Sequence, residues 1–165
     1  MDDGEFAELY AAHRVGLVRL AVLLVDEVGA AEDVVQDAFA AFATRAGAMR
    51  DPGAALGYLR VSVVNGCRSA LRRRRTARAY VPPHDVEPDG PDARAVLSEE
   101  HREVLAALDQ LPPRQREVVV LRYWSGMSEA EIASALGISR GTVKSTASRA
   151  LTALEKILPV REEHR

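Results

Sequence analysis

The sequence predicts an all-α protein: two small helical domains joined by a flexible, acidic, proline-rich linker, the second domain containing a helix-turn-helix. Three observations predict it. Hydrophobic residues make up 47% of the 165-residue chain but aromatics only 5%, and Ala, Leu and Val dominate, which favours packed helices over sheet. Apolar positions recur at helical spacing from about Glu5 to Arg75 and again from Val96 to about Leu158. Between these stretches stand Val81-Pro82-Pro83 and Glu87-Pro88-Asp89-Gly90-Pro91, a proline density that breaks helices. The expected division is a first domain over residues 1–75, a linker over 76–95 and a second domain over 96–165.

Composition excludes several function classes. The single cysteine, Cys67, permits no internal disulfide. The four histidines are scattered without metal-ligand spacing. No nucleophile–base pair or phosphate-binding loop is present, so neither an enzyme, a small-molecule substrate, a metal nor a cofactor is expected. The chain opens Met1-Asp2-Asp3, unlike a signal peptide, and its longest apolar run, Leu20 to Val25, is too short to span a bilayer; a cytoplasmic location is expected. The formal net charge of −2 argues against tight, free-standing DNA binding, so the placement of charge matters more than its sum.

In the first domain, Phe6, Leu9, Tyr10, His13, Leu17, Leu20 and Leu24 define one apolar helical stripe. Gly29 is expected to interrupt it, with a second helix starting near Ala30 and burying Val34, Val35, Ala38, Phe39 and Phe42. The other face of that helix carries Asp33, Gln36 and Asp37. Asp51 and Pro52 suit the cap and first residue of a third helix. Its core face is Leu56, Leu59, Val63, Cys67 and Leu71, and Asn65, Arg68, Arg72 and Arg75 line another side.

In the second domain, Leu111-Pro112-Pro113-Arg114 opens a helix reaching Tyr123-Trp124. Ser128-Glu129-Ala130-Glu131 has the form of a capping box, after which Ile132, Ala133 and Leu136 face inward. Gly137 permits a sharp turn, Ile138 plugs it and Ser139 caps the next helix, with Val143, Ala147, Ala150, Leu151 and Leu154 as its core face. A short helix, a glycine turn and a second capped helix make a helix-turn-helix.

Three constellations carry candidate chemistry. Arg140, Thr142, Lys144, Ser145, Ser148 and Arg149 are the early exposed polar positions of the last helix. They suit a recognition helix in a major groove, where Arg and Lys donate to guanine O6 and N7. The N–H groups of Arg140 and Gly141 are free for a phosphate. The second constellation is Arg72-Arg73-Arg74-Arg75; the helix dipole accounts for one or two cations there, not four. With Arg60, Asn65 and Arg68 they form a second cationic surface. The third is the Asp33, Gln36, Asp37 face, which is either a solvated face or a docking site for a basic partner.

Together these features resemble the bacterial RNA polymerase sigma factors of the extracytoplasmic-function (ECF) group, which retain only regions two and four. The likeness runs from about Phe6 to Leu158. Ala31 to Phe39 looks like the core-polymerase-binding motif, Gly57 to Arg75 like the minus-ten helix, and Leu111 to Glu117 with Gly137 to Ser145 like region four. The resemblance implies a factor that binds core RNA polymerase and directs promoter recognition and transcription initiation. It implies that Asp33, Gln36 and Asp37 meet the beta-prime clamp helices, that region four sits on the beta flap, and that an anti-sigma factor is a further partner. It assigns the minus-thirty-five element to Arg140, Thr142, Lys144, Ser145, Ser148 and Arg149. It assigns the minus-ten element to Tyr58, Arg60, Asn65, Arg68, Arg72, Arg73 and Arg75. The loop from about Arg45 to Ala54 would hold a flipped base, though Ala46-Gly47-Ala48-Met49 is smaller and more apolar than is frequent in relatives. Thr146 stands where many relatives carry Arg, implying one phosphate contact fewer. The acids Asp85, Glu87, Asp89 and Asp92 would let the linker thread the polymerase channel as a nucleic-acid mimic.

Two other readings stay open on sequence grounds. A regulator that binds an operator without polymerase predicts tight specific binding by the chain alone. A decoy that occupies polymerase predicts core binding without promoter melting.

Overall fold

The computed structural model describes residues 1–49, 51–80 and 99–158. The regular elements among the described residues are all helices, with no strand, and the chain divides into two compact units, Met1–Asp92 and Ala93–Arg165. The linker acids Asp85, Glu87, Asp89 and Asp92 lie outside the described residues.

The first unit is a three-helix bundle of α1 (Asp3–Val25), α2 (Val28–Arg45) and α3 (Pro52–Tyr80), each packed on the other two. A capping box starts α1: the Asp2 side chain accepts from the Glu5 N–H at 2.8 Å, and Glu5 accepts from the Asp2 N–H at 2.8 Å. Helix α1 ends at Asp26, which adopts φ 63°, the left-handed conformation that Asp tolerates better than most residues. The expected break at Gly29 is therefore earlier, at Asp26-Glu27, and Gly29 lies inside α2. The left-handed backbone of Asp26, whose N–H donates to the Val22 carbonyl at 3.1 Å, is a stop that hydrophobic periodicity does not register.

The core of this unit is Leu9, Leu17, Leu20 and Leu24 of α1, Val34, Val35, Phe39 and Phe42 of α2, and Leu59, Val63, Val64 and Cys67 of α3. Leu56 and Leu71, expected among them, are only half-buried. Aromatics gather at one side. Phe6 packs edge-on against Phe39 with centroids 6.2 Å apart, Tyr10 meets Phe39 at 4.8 Å, and Phe42 meets Tyr58 at 5.8 Å. Helices α2 and α3 approach closely at Gly66: a Cβ built there would lie 2.7 Å from Val34 Cγ1.

Between α2 and α3 the chain makes one tight 3₁₀ turn, Ala46–Ala48. Asp51 then caps α3, accepting from the Gly53 N–H at 3.0 Å, with Pro52 as first helical residue. Within the expected loop over Arg45 to Ala54, Ala46–Ala48 form the 3₁₀ turn, and Pro52, Gly53 and Ala54 already belong to α3. At its other end α3 continues past Arg75 to Tyr80.

The second unit comprises α4 (Glu99–Asp109), α5 (Pro113–Val119), α6 (Glu129–Leu136) and α7 (Arg140–Ile157). Helix α5 widens into a π-helical turn, Val120–Trp124, closed by a Ser125 N–H to Val120 carbonyl bond of 3.1 Å. Glu117, Val118, Val119, Val120 and Leu121 are all buried, so this stretch is enclosed on every side rather than along one stripe. Arg116 ties α4 to α5: its Nε donates to the Leu108 carbonyl at 3.1 Å, and the guanidinium pairs with Asp109 at 3.7 Å.

Candidate nucleic-acid and polymerase interfaces

In the second unit, α6 and α7 form the expected helix-turn-helix. Ser128 Oγ accepts from the Glu131 N–H at 3.1 Å, and Glu131 accepts from the Ser128 N–H at 2.7 Å. Gly137 ends α6 at φ 66°, where a Cβ would be strained, and Ile138 is half-buried in the turn. Ser139 Oγ accepts from the Thr142 N–H at 3.0 Å. Each device satisfies helix-end groups that would otherwise need water, and together they fix where α7 begins.

The two sides of α7 differ sharply. Val143, Thr146, Ala147 and Ala150 are buried. Arg140, Thr142, Lys144, Ser145, Ser148 and Arg149 are all exposed. At about 100° per residue, the buried four occupy one arc and the polar six the opposite one. Leu151, expected in the core, is 38% exposed, because it falls roughly 40° beyond Ala147 on this wheel. Thr146 is 3% exposed and faces the core between Val143 and Ala150. Thr146 therefore adds nothing to the exposed face of α7.

Some of the six are already engaged. The Thr142 hydroxyl lies 2.8 Å from Ser139 Oγ, and Ser145 Oγ donates to the Thr142 carbonyl at 3.2 Å. Lys144 Nζ lies 3.8 Å from Glu129 Oε2, and the same carboxylate accepts from Arg122 Nη1 at 3.0 Å. Sequence spacing did not point to this three-residue cluster. Glu129 reads as a member of the capping box, and only the packing of α6 against α7 brings it to Lys144.

In the first unit, Glu32, Asp33, Gln36, Asp37 and Ala40 form one exposed face of α2, opposite Val34, Val35, Ala38 and Phe39. Among the described residues, Asp33 and Asp37 enter no ion pair, and both are exposed. The face lies on a helix whose Val34 packs closely against Gly66 of α3.

On α3, Asn65, Arg72, Arg73 and Arg75 are exposed, and Arg60 and Arg68 half-buried. Tyr58 is half-buried against Phe42, with the Arg45 guanidinium 6.0 Å above its ring. Arg74 behaves differently from its neighbours. Its Nη1 donates to the Val25 carbonyl at 3.1 Å, and its Nη2 pairs with Glu27. It therefore caps the C-terminus of α1 and clamps α3 onto the α1–α2 turn. Of the four consecutive arginines, three face outward and one serves the fold.

Residues 9–77 match the Sigma-70 region 2 family and residues 101–154 the Sigma-70, region 4 family. The chain is 38% identical over 162 residues to the RNA polymerase sigma-E factor of Streptomyces antibioticus, an alignment covering 96% of this chain and 87% of that protein. It is 37% identical over 153 residues to the ECF RNA polymerase sigma factor SigM of Mycobacterium tuberculosis, covering 93% and 76%. Among solved structures it is similar to the sigma factor RpoE in complex with the anti-sigma factor NepR from Bartonella quintana. That match has TM-score 0.76 and 26% identity over 94% of this chain and 98% of the other. It is also similar to CnrH in complex with the cytosolic domain of CnrY, at TM-score 0.69 and 29% identity over 94% and 88%.

Proposed function

This chain belongs to the family of RNA polymerase sigma factors with sigma-70 regions 2 and 4, and from that premise we propose that it binds core RNA polymerase and directs it to promoters. It acts by binding and positioning, and the chemistry of RNA synthesis belongs to the polymerase. The observation that carries the reading is the pairing, in one chain, of two family regions that each leave a polar helix face open.

The roles divide between the units. The exposed face of α7 reads the upstream minus-thirty-five element from the major groove, with Arg140 and Lys144 donating to base edges. Ser148 and Arg149 take bases or phosphates, and the N–H groups of Arg140 and Gly141 take a phosphate. Tyr58, Arg60, Asn65 and Arg68, with Arg72, Arg73 and Arg75, engage the minus-ten element. The Asp33, Gln36, Asp37 face docks on the beta-prime clamp helices, and the second unit docks on the beta flap. An anti-sigma factor is a further partner: the RpoE and CnrH structures contain such a complex or a cytosolic partner domain, and both cover nearly all of this chain. The net charge of −2 fits this division, because a sigma factor borrows the cationic channel of the polymerase and need not hold DNA tightly alone.

Binding of a labelled promoter duplex by the chain, by core polymerase and by the two together tests the proposal. Specific binding should appear only with both present. Tight specific binding by the chain alone would show an operator-binding regulator instead, and core binding that blocks promoter engagement would show a decoy.

A further inference from the structure

The cluster of Arg122, Glu129 and Lys144 lies beside the face assigned to DNA, and its central carboxylate has no part in that assignment. Glu129 is the first residue of α6, where the helix N-terminus favours negative charge. Its side chain is 18% exposed, and Oε1 accepts from Arg122 at 3.0 Å. The carboxylate is thus already held by a helix end and a guanidinium. Lys144, 69% exposed and 3.8 Å from Oε2, adds little to it. The consequence runs the other way: a fixed anion stands beside an exposed cation of α7.

We propose that Glu129 is a specificity-determining positioning residue, one that keeps Lys144 directed at base edges and penalises its capture by phosphates. This rests on the reading of α7 as the upstream-element helix. An ammonium carries three donors, so Lys144 keeps Glu129 as one partner while giving another N–H to a base acceptor. Swinging out to a phosphate gives up the Lys144–Glu129 contact and leaves Glu129 with Arg122 as its cationic partner. Losing that attraction, the size of an exposed ion pair, disfavours phosphate capture by Lys144, whereas a base contact that keeps the pair is not disfavoured. Non-cognate duplex is held mainly through phosphates, so the penalty falls more heavily there than on the cognate site.

The test uses holoenzyme assembled from core polymerase and the full chain. The probes are duplexes selected by wild-type holoenzyme from a pool randomised around minus thirty-five, and the same duplexes with that element scrambled. Affinity for both is measured across a salt series. With Glu129→Gln, which keeps an acceptor for Arg122, the salt dependence should steepen by up to about one unit of slope. The preference for the selected element should fall several-fold, to a limit of about fivefold, the equivalent of an exposed ion pair. Both changes should vanish in a Lys144→Ala background. Arg122→Gln, which removes the contact holding α6 to the π-helical turn, should lower thermal stability without steepening the slope. An unchanged slope and preference in Glu129→Gln overturns the proposal. So does the same change in the Lys144→Ala background, or an equal steepening by Arg122→Gln. If wild-type holoenzyme selects no upstream element, or Lys144→Ala leaves selection intact, the assignment of α7 fails and this inference falls with it.

Discussion

Near its end α3 carries four consecutive arginines, and their side chains take two courses. Arg72, Arg73, Arg74 and Arg75 are indistinguishable in the sequence, yet Arg74 reaches back to the Val25 carbonyl and Glu27 while the others point outward. Arg74→Gln should therefore lower the unfolding free energy by about 1–2 kcal/mol, the range for a partly exposed charged hydrogen bond, as read by urea denaturation. Arg72→Gln and Arg73→Gln should leave stability within about 0.5 kcal/mol and weaken promoter engagement by holoenzyme. On α7, Arg140→Ala should cost about 1–3 kcal/mol of selection at the upstream element if its guanidinium reads a base. A uniform loss across sequences, measured by competition between selected and scrambled duplexes, would assign it to phosphate instead. The exposed six of α7 were legible because a polar arc opposite an apolar one follows from helical period alone. Arg74's role was not, because its partners lie 49 residues away at the end of another helix. Glu129 was hidden for the same reason.

At the scale of elements, short side-chain signals were the most readable. Ser128 with Glu131, Gly137, Ser139, and Asp51 with Pro52 all act where the sequence put them. Ser139→Ala should cost about 1 kcal/mol by removing the α7 cap, measurable as a lower thermal midpoint. What the sequence concealed was tertiary. Gly29 looked like a breaker, but Asp26 in the left-handed region ends α1. Leu56 and Leu71 fit the stripe of α3 but lie only half-covered by their neighbours. Gly66 looked neutral, whereas a methyl group there would strike Val34 on the helix that bears Asp33 and Asp37. Gly66→Ala should destabilise the first unit by about 1–3 kcal/mol, the usual cost of overpacking. Adding Val34→Ala, which removes the struck atom, should recover part of that loss.

Over the whole molecule, two helical units carry two unlike surfaces, an acidic face on α2 and a polar, partly cationic face on α7. The all-α class and the helix-turn-helix were legible because both rest on local period and punctuation. Asp33→Ala combined with Asp37→Ala should weaken association with core polymerase and leave the stability of the chain unchanged, since neither side chain is buried. Pull-down and thermal melting read the two effects separately. The central claim is that the chain redirects polymerase. Its most direct test is transcription of a fragmented genomic library by core polymerase with and without the chain, with RNA 5′ ends mapped. Discrete start sites should appear only when the chain is present and should share two upstream elements at fixed spacing. Identical start sites with core alone, or no discrete starts with a properly paired core, would contradict that claim.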